Sequence, residues 1–246
     1  MNKIEQLSEI LSQSQNAVFF GGAGMSTESG IPNFRSANGI YNQRLNTTFR
    51  PEEIVTHSFF MNCPADFFEF YRTRIVYLDA KPNAGHFALA ELERRGILSA
   101  IVTQNIDGLH QAAGSKVVFE LHGSVRRSFC INCGAQYDLN FIMKNKPIPY
   151  CKNCGGLVRP DVVLYEENLD EKILKASIEA ISKADTLIIG GTSLVVYPAA
   201  GLIDYFNGEY LIIINKTATA ADREAELIIR ENIGETLSKA VELIGR

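Results

Sequence analysis

Cysteine pairs, histidines, one aspartate and two side-chain amides carry most of the chemistry this chain could perform. The thiols fall as Cys130-x2-Cys133 and Cys151-x2-Cys154, with 17 residues between the pairs and a glycine after each. Each CxxC turn presents two sulfurs to one side, and two such turns can close a tetrahedron around one Zn2+ ion. Four thiolates fill the coordination shell, so the expected ion is structural and offers no open position for catalysis. The fifth thiol, Cys63, lies in the apolar stretch FFMNCPADFF and is expected to be buried and inert. An odd cysteine count with CxxC spacing fits a reducing compartment better than a disulfide framework.

The other chemistry concentrates in Thr103–Gly123, TQNIDGLHQAAGSKVVFELHG, where Gln104, Asn105, Asp107, His110 and His122 lie between apolar runs. Imidazoles titrate near neutrality and can move protons, while amides and carboxylates orient a polar ligand. A third feature is the glycine turn Gly21-Gly-Ala-Gly24 after the apolar run Ala17–Phe20. Glycines there let the chain turn sharply and let a phosphate approach the amides of the next helix. Gly22 and Gly24 match the first two glycines of the dinucleotide pattern, with Thr27 in the third place. Gly30 and Pro32 then end any helix, leaving Phe34 and Arg35 on a loop where they could stack on and charge-pair with a cofactor.

These groups need elements to hold them. Ile4, Leu7, Ile10 and Leu11 follow helical spacing, and Asn83–Glu93 reads as a helix with Asn83 as its N-cap. The Phe- and Tyr-rich stretch 50–80 reads as helical core or groove lining. Apolar runs predict strands at Ala17–Phe20, Ile97–Val102, Val117–Leu121, Thr186–Gly190, Tyr210–Ile214 and Leu227–Ile229. Helices are expected at Glu171–Lys183, from Pro198 towards Phe206, and at Ile233–Ile244. Alternating strands and helices imply an α/β fold, an open parallel sheet with helices on both faces. Ligands of such sheets sit at the carboxyl ends of strands, where Gly22, Gln104, His122, Gly191 and Asn215 all fall. Residues 125–159 interrupt the rhythm and read as an inserted zinc ribbon.

At 246 residues the chain can form one large domain carrying a small insertion. Its 46% hydrophobic and 21% charged residues are an ordinary globular balance, and the net charge of −4 argues against direct nucleic-acid binding. No apolar run reaches the ~18 residues of a membrane span, and the N-terminus lacks the apolar core of a signal peptide. A cytoplasmic protein is the expectation, with the oligomeric state open and a monomer as the starting assumption.

Together GGAGMSTESGIPNFR, TQNIDGLH, ELHG, the paired CxxC motifs, RPDVVLYEE and GTSLVVYPAA resemble the sirtuin family of NAD-dependent protein-lysine deacylases, bacterial type. The likeness runs from about Val18 to Asn215. It implies a Rossmann-type NAD-binding domain, here 1–124 and 160–246, and a zinc-ribbon module at 125–159 that could recruit part of 30–80. It also implies NAD as a consumed co-substrate, one structural Zn2+ and acylated protein lysines as substrates. In such a reaction the acyl carbonyl oxygen attacks the nicotinamide ribose, nicotinamide leaves, and a ribose hydroxyl must then lose a proton. The products are free lysine, nicotinamide and O-acyl-ADP-ribose.

Carried over by motif, His122 becomes the catalytic base and also a cofactor contact. Gln104, Asn105, Ile106 and Asp107 line the nicotinamide and ribose pocket. Ala23, Gly24 and Thr27 hold the pyrophosphate turn, and Phe34 and Arg35 sit on the cofactor loop. Thr192, Ser193 and Asn215 meet the adenosine half, and Ile233 completes the adenine pocket through its backbone. An extended peptide lies between Val163–Asn168 and Leu194–Tyr197, bringing in Val163, Tyr165 and Val195. His110 is read as structural.

The chain departs from the family at Asn33, where aspartate is common, and at Glu166, where glycine is usual. Tyr71 and Arg74 resemble the Tyr-x-x-Arg pair with which some relatives bind succinyl or malonyl carboxylates, and on an α-helix they would share a face. Deacetylation is nonetheless the expected main activity, with ADP-ribosyl transfer to protein and non-catalytic binding of NAD or acyl-lysine as the alternatives.

Overall fold

The computed structural model describes residues 2–35, 39–42 and 49–245. Its larger sheet contains β1 (Ala17–Gly21), β2 (Leu98–Thr103), β3 (Val118–Glu120), β7 (Thr186–Gly190), β8 (Tyr210–Ile214) and β9 (Leu227–Ile229), all parallel, in the order β3-β2-β1-β7-β8-β9. A smaller antiparallel sheet contains β4 (Gly123–Cys130), β5 (Gln136–Asp138) and β6 (Val158–Val162), in the order β5-β4-β6.

The period of two along the large sheet's strands feeds two cores. Phe19, Ile101, Ile188, Ile212 and Ile214 face one, and Val18, Phe20, Val102, Ile189 and Ile213 face the other. Helices α1 (Lys3–Gln13), α5 (Ala84–Arg94) and α9 (Ile233–Leu243) contribute to the first core, while α8 (Glu171–Lys183) covers the second. Their ends are set locally. Asn2 accepts from the Ile4 and Glu5 amides, and Asp170 from those of Lys172 and Ile173. Asn83 is the N-cap of α5, as its position after Pro82 suggests.

A third core joins the small sheet to the aromatic stretch. Phe60, Phe67, Phe68 and Tyr71 pack with Val125, Leu139, Ile142 and Val158. They bring α2 (Pro51–Ile54), α3 (His57–Asn62) and α4 (Pro64–Phe70) against α7 (Leu139–Lys144) and the strands beside the cysteines. The remaining short helix, α6 (Leu109–Ala113), follows β2.

Two elements differ from expectation. The segment after Pro198 forms a 3-10 helix over Ala199–Tyr205, tighter than the expected α-helix. Tyr71–Ile75 forms a π turn that extends α4. Cys63 is half-buried, so it is more open than its apolar neighbours suggested.

Candidate active site and metal centre

The strand order reverses between β1 and its neighbours β2 and β7, and a parallel sheet leaves a crevice at such a switch point. Two glycine turns meet there. The Gly24 amide donates to the Gly191 carbonyl (2.7 Å), and the Gly22 amide donates to Gly190 (3.1 Å). A Cβ on Gly24 would stand 2.6 Å from the Gly191 Cα, so the two backbones approach only because both residues lack side chains. Above them opens a cavity of about 810 Å3, lined by Gly22, Ala23, Gly24, Thr27, Phe34 and Arg35 from the first turn and its loop. Gln104, Asn105, Ile106, Asp107, His122, Thr192, Ser193, Asn215 and Ile233 also line it.

His122 lies between β3 of the large sheet and β4 of the small one. Gly123 follows with φ 75°, and a Cβ there would collide with the Asp161 carbonyl oxygen, so glycine is required for the crossing. His122 Nδ1 lies 2.9 Å from the Gln104 carbonyl oxygen. A carbonyl can only accept, so Nδ1 carries the proton and Nε2 is left as the basic nitrogen. Burial lowers the imidazole pKa below its ordinary value, and the Gln104 carbonyl offsets part of that shift.

Beside it, Ser26 joins two chemical groups. Its hydroxyl donates to Asp107 Oδ2 (2.6 Å) and accepts from Asn105 Nδ2 (3.1 Å). The other Asp107 oxygen accepts from the Leu109 amide (2.9 Å), which fixes the carboxylate at both ends. Gln104 Nε2 donates to Thr192 Oγ1 (3.1 Å), linking the ends of β2 and β7. The carboxylate of Glu28 accepts from the Gly234 amide (2.7 Å), tying the first turn to the start of α9 beside Ile233.

Residues 22–198 match the model of the Sir2 family. The chain belongs to that family. It is 60% identical over 242 residues to an NAD-dependent protein deacetylase of Clostridium perfringens, covering 98% of this chain and 99% of that protein. A protein of the same name from Clostridium acetobutylicum is 57% identical over 98% of this chain and 99% of its own length. Among solved structures, one of a Sir2 enzyme is 42% identical with a TM-score of 0.88, covering 98% and 97% of the two chains. Another, of Sir2 with a p53 peptide and NAD+, is 38% identical with a TM-score of 0.86 and covers 98% of each.

In this Sir2 protein Val163 and Tyr165 line the cavity, but Val195 does not: it is exposed beside the lining residues Ser193 and Val196. Tyr71 lines the cavity and Arg74 does not. The wider π turn offsets residue i+3 from the face it would share with residue i on an α-helix. Tyr71 is 1% exposed, and burial pushes its phenol pKa up. His110 stays outside the cavity, packed against His86 and Phe19. Sequence reasoning missed Ser26, Glu28, Tyr41 and Arg126, all of which line the cavity. For Ser26 the signal was a hydroxyl inside a glycine turn, shared with Thr27 and Ser29.

The thiols of Cys130, Cys133, Cys151 and Cys154 lie within 4.8 Å of one another. The Cys130–Cys154 and Cys133–Cys151 sulfur pairs are 3.5 and 3.6 Å apart. A tetrahedron with metal–sulfur bonds of about 2.3 Å has edges of about 3.8 Å, so the group is positioned to bind one structural metal ion and its all-sulfur set fits Zn2+. Tyr137 donates its hydroxyl to Cys151 Sγ (3.1 Å) and accepts from the Lys152 amide (2.9 Å), orienting one ligand.

Proposed function

We propose that this Sir2 protein removes acetyl groups from protein lysines with NAD as co-substrate, giving nicotinamide and O-acetyl-ADP-ribose. The observation that carries the proposal is His122, its Nδ1 held by Gln104, in one cavity with the crossed glycine turns and the Ser26-tied Asn105 and Asp107. NAD, when bound, supplies a nicotinamide leaving group and an electrophilic ribose carbon.

The chain's own residues do the rest. His122 accepts a ribose hydroxyl proton at Nε2 while Gln104 prevents the ring from turning. Asn105 and Asp107 present amide and carboxylate to the nicotinamide and its ribose, in positions set by Ser26. The turn of Ala23, Gly24 and Thr27 receives the pyrophosphate through backbone amides. Phe34 and Arg35 close over it, with Ile106 in the pocket wall. Thr192, Ser193, Asn215 and the Ile233 backbone receive the adenosine half. The substrate peptide lies along Val163 and Tyr165 on one side and Val195 on the other.

Acetyl is the favoured acyl group because the relatives at 60% and 57% identity are NAD-dependent protein deacetylases. The two-body division, with the NAD-binding part built on the large sheet, and a cytoplasmic location where thiolates stay reduced, belong to the same proposal. Among the described residues, no helix is long and apolar enough to cross a membrane. Mass spectrometry of an acetyl-lysine peptide incubated with the protein and NAD tests it. O-acetyl-ADP-ribose with deacetylated peptide is expected; ADP-ribosylated protein or unchanged peptide overturns the proposal.

A further inference from the structure

Among the described residues two that are not glycine adopt left-handed backbone, Glu166 (φ 77°) and Leu194 (φ 53°). Both belong to the segments assigned above to the peptide. Left-handed backbone is disfavoured for an L-residue, so something must hold each of them there. Leu194 is 7% exposed in the second core, and its amide donates to Thr192 Oγ1 (3.2 Å). Glu166 is exposed and has no such packing.

What holds Glu166 is its own carboxylate. One oxygen accepts from the Ser58 amide and the other from the Ser58 hydroxyl, both at 2.8 Å. The Glu167 amide donates to the Leu164 carbonyl (3.1 Å), so Leu164–Glu167 is a β-turn with Glu166 at its third position. A type II turn places positive φ there and calls for glycine. The turn's second residue is tied to the same neighbouring segment: the Tyr165 amide donates to the Val55 carbonyl, and the His57 amide donates to the Tyr165 carbonyl, each at 3.0 Å. Within the turn the Glu166 amide, and just after it the Asn168 amide, have no hydrogen-bond partner among the described residues. They are available to an incoming extended chain.

We infer that Glu166 is a positioning residue for the acetyl-lysine peptide: gripping Ser58, it locks the Leu164–Glu167 turn so that the Glu166 and Asn168 amides meet the peptide as a ready-made strand edge. The inference rests on the function proposed above. A locked edge binds more tightly because less order is imposed on binding. Glycine at this position would allow the turn without holding it, whereas glutamate both occupies it and anchors it.

The test is the dissociation constant of a labelled acetyl-lysine peptide by fluorescence anisotropy, with NAD turnover and its KM measured in parallel. Glu166→Ala is expected to weaken peptide binding by about fivefold to tenfold and Glu166→Gly by about half as much, since glycine removes the conformational cost but not the loss of the anchor. The NAD KM should stay within about twofold in both. Ser58→Ala added to Glu166→Ala should cost nothing more, because the grip is already lost. Unchanged peptide affinity in both Glu166 variants overturns the inference. So does a parallel rise in peptide and NAD constants with a lowered Tm, which marks general loosening. Peptide binding by the wild type without turnover would instead strike the proposed reaction and leave the anchor to be judged on affinity; a wild type that binds no peptide overturns both.

Discussion

His122 can act as a base only while its imidazole is neutral, and its burial favours that form despite the carbonyl at Nδ1. A pKa below the ordinary value near 6.5 means that the base form is complete at neutral pH and is lost as pH falls through the lowered value. The acid limb of kcat/KM for acetyl-lysine peptide should therefore lie below about pH 6.5, and a limb above about pH 7 would contradict this assignment. His122→Ala should lower kcat by about 10^2 to 10^4 while leaving Tm near that of the wild type. At this scale the sequence was partly legible. Residue type and order marked Gln104, Asn105, Asp107 and His122, but not which hydroxyl of the first turn points inward. Ser26 is 1% exposed and joins Asn105 to Asp107, whereas Thr27 is exposed and its hydroxyl bonds the Gly24 carbonyl. Three-residue phase within a 3-10 turn decides that, and composition does not carry it.

Elements with strong ends or long apolar runs were readable; those that change helical pitch were not. The bounds of α8 and β7 follow from an Asp170 cap and a five-residue apolar strand, while the π turn at Tyr71–Ile75 has the same local pattern as an α-helix. Within that turn the buried Arg72 donates to the carbonyls of Ile142, Asn145 and Pro147, at and beyond the end of α7 (3.0, 2.9 and 2.9 Å). Its planar fork reaches three acceptors that an ammonium cannot satisfy together. Arg72→Lys should lower stability by about 2–4 kcal/mol in urea unfolding, and a wild-type midpoint and slope would refute the role. A second pair sits where α5 meets α6. Burial pushes His86 down to about 4, with Asp107 pulling it partly back, and pushes His110 down to about 3, aided by repulsion from His86. Both are neutral when folded but bind protons more readily when unfolded. Their contribution is intact above about pH 6.5 and is lost towards pH 4 and 3, at up to roughly 1.4 kcal/mol per pH unit for each histidine. Tm should fall between pH 7 and pH 5, and less steeply in His110→Phe.

For the whole molecule, the parallel sheet and the four-cysteine cluster were legible because their signals are periodic or fixed in spacing. The partner of the aromatic stretch was not: Phe60, Phe67 and Phe68 announce burial, but only tertiary packing places them against the small sheet. That packing makes the metal a support for more than its own loop. Extraction of Zn2+ by a chelator should expose both 125–160 and 51–76 to limited proteolysis while the large sheet stays resistant; cleavage confined to the cysteine loops would show that the third core stands alone. The β4–β6 ladder of the small sheet is also extended past its end without any side chain, by the Val163 amide donating to the His122 carbonyl (2.9 Å). That one proton is a natural gauge of fraying at the end of the small sheet that borders the cavity. Its exchange with deuterated solvent reports how often that rung opens beside His122, and a peptide held along Val163 should slow it in proportion to occupancy.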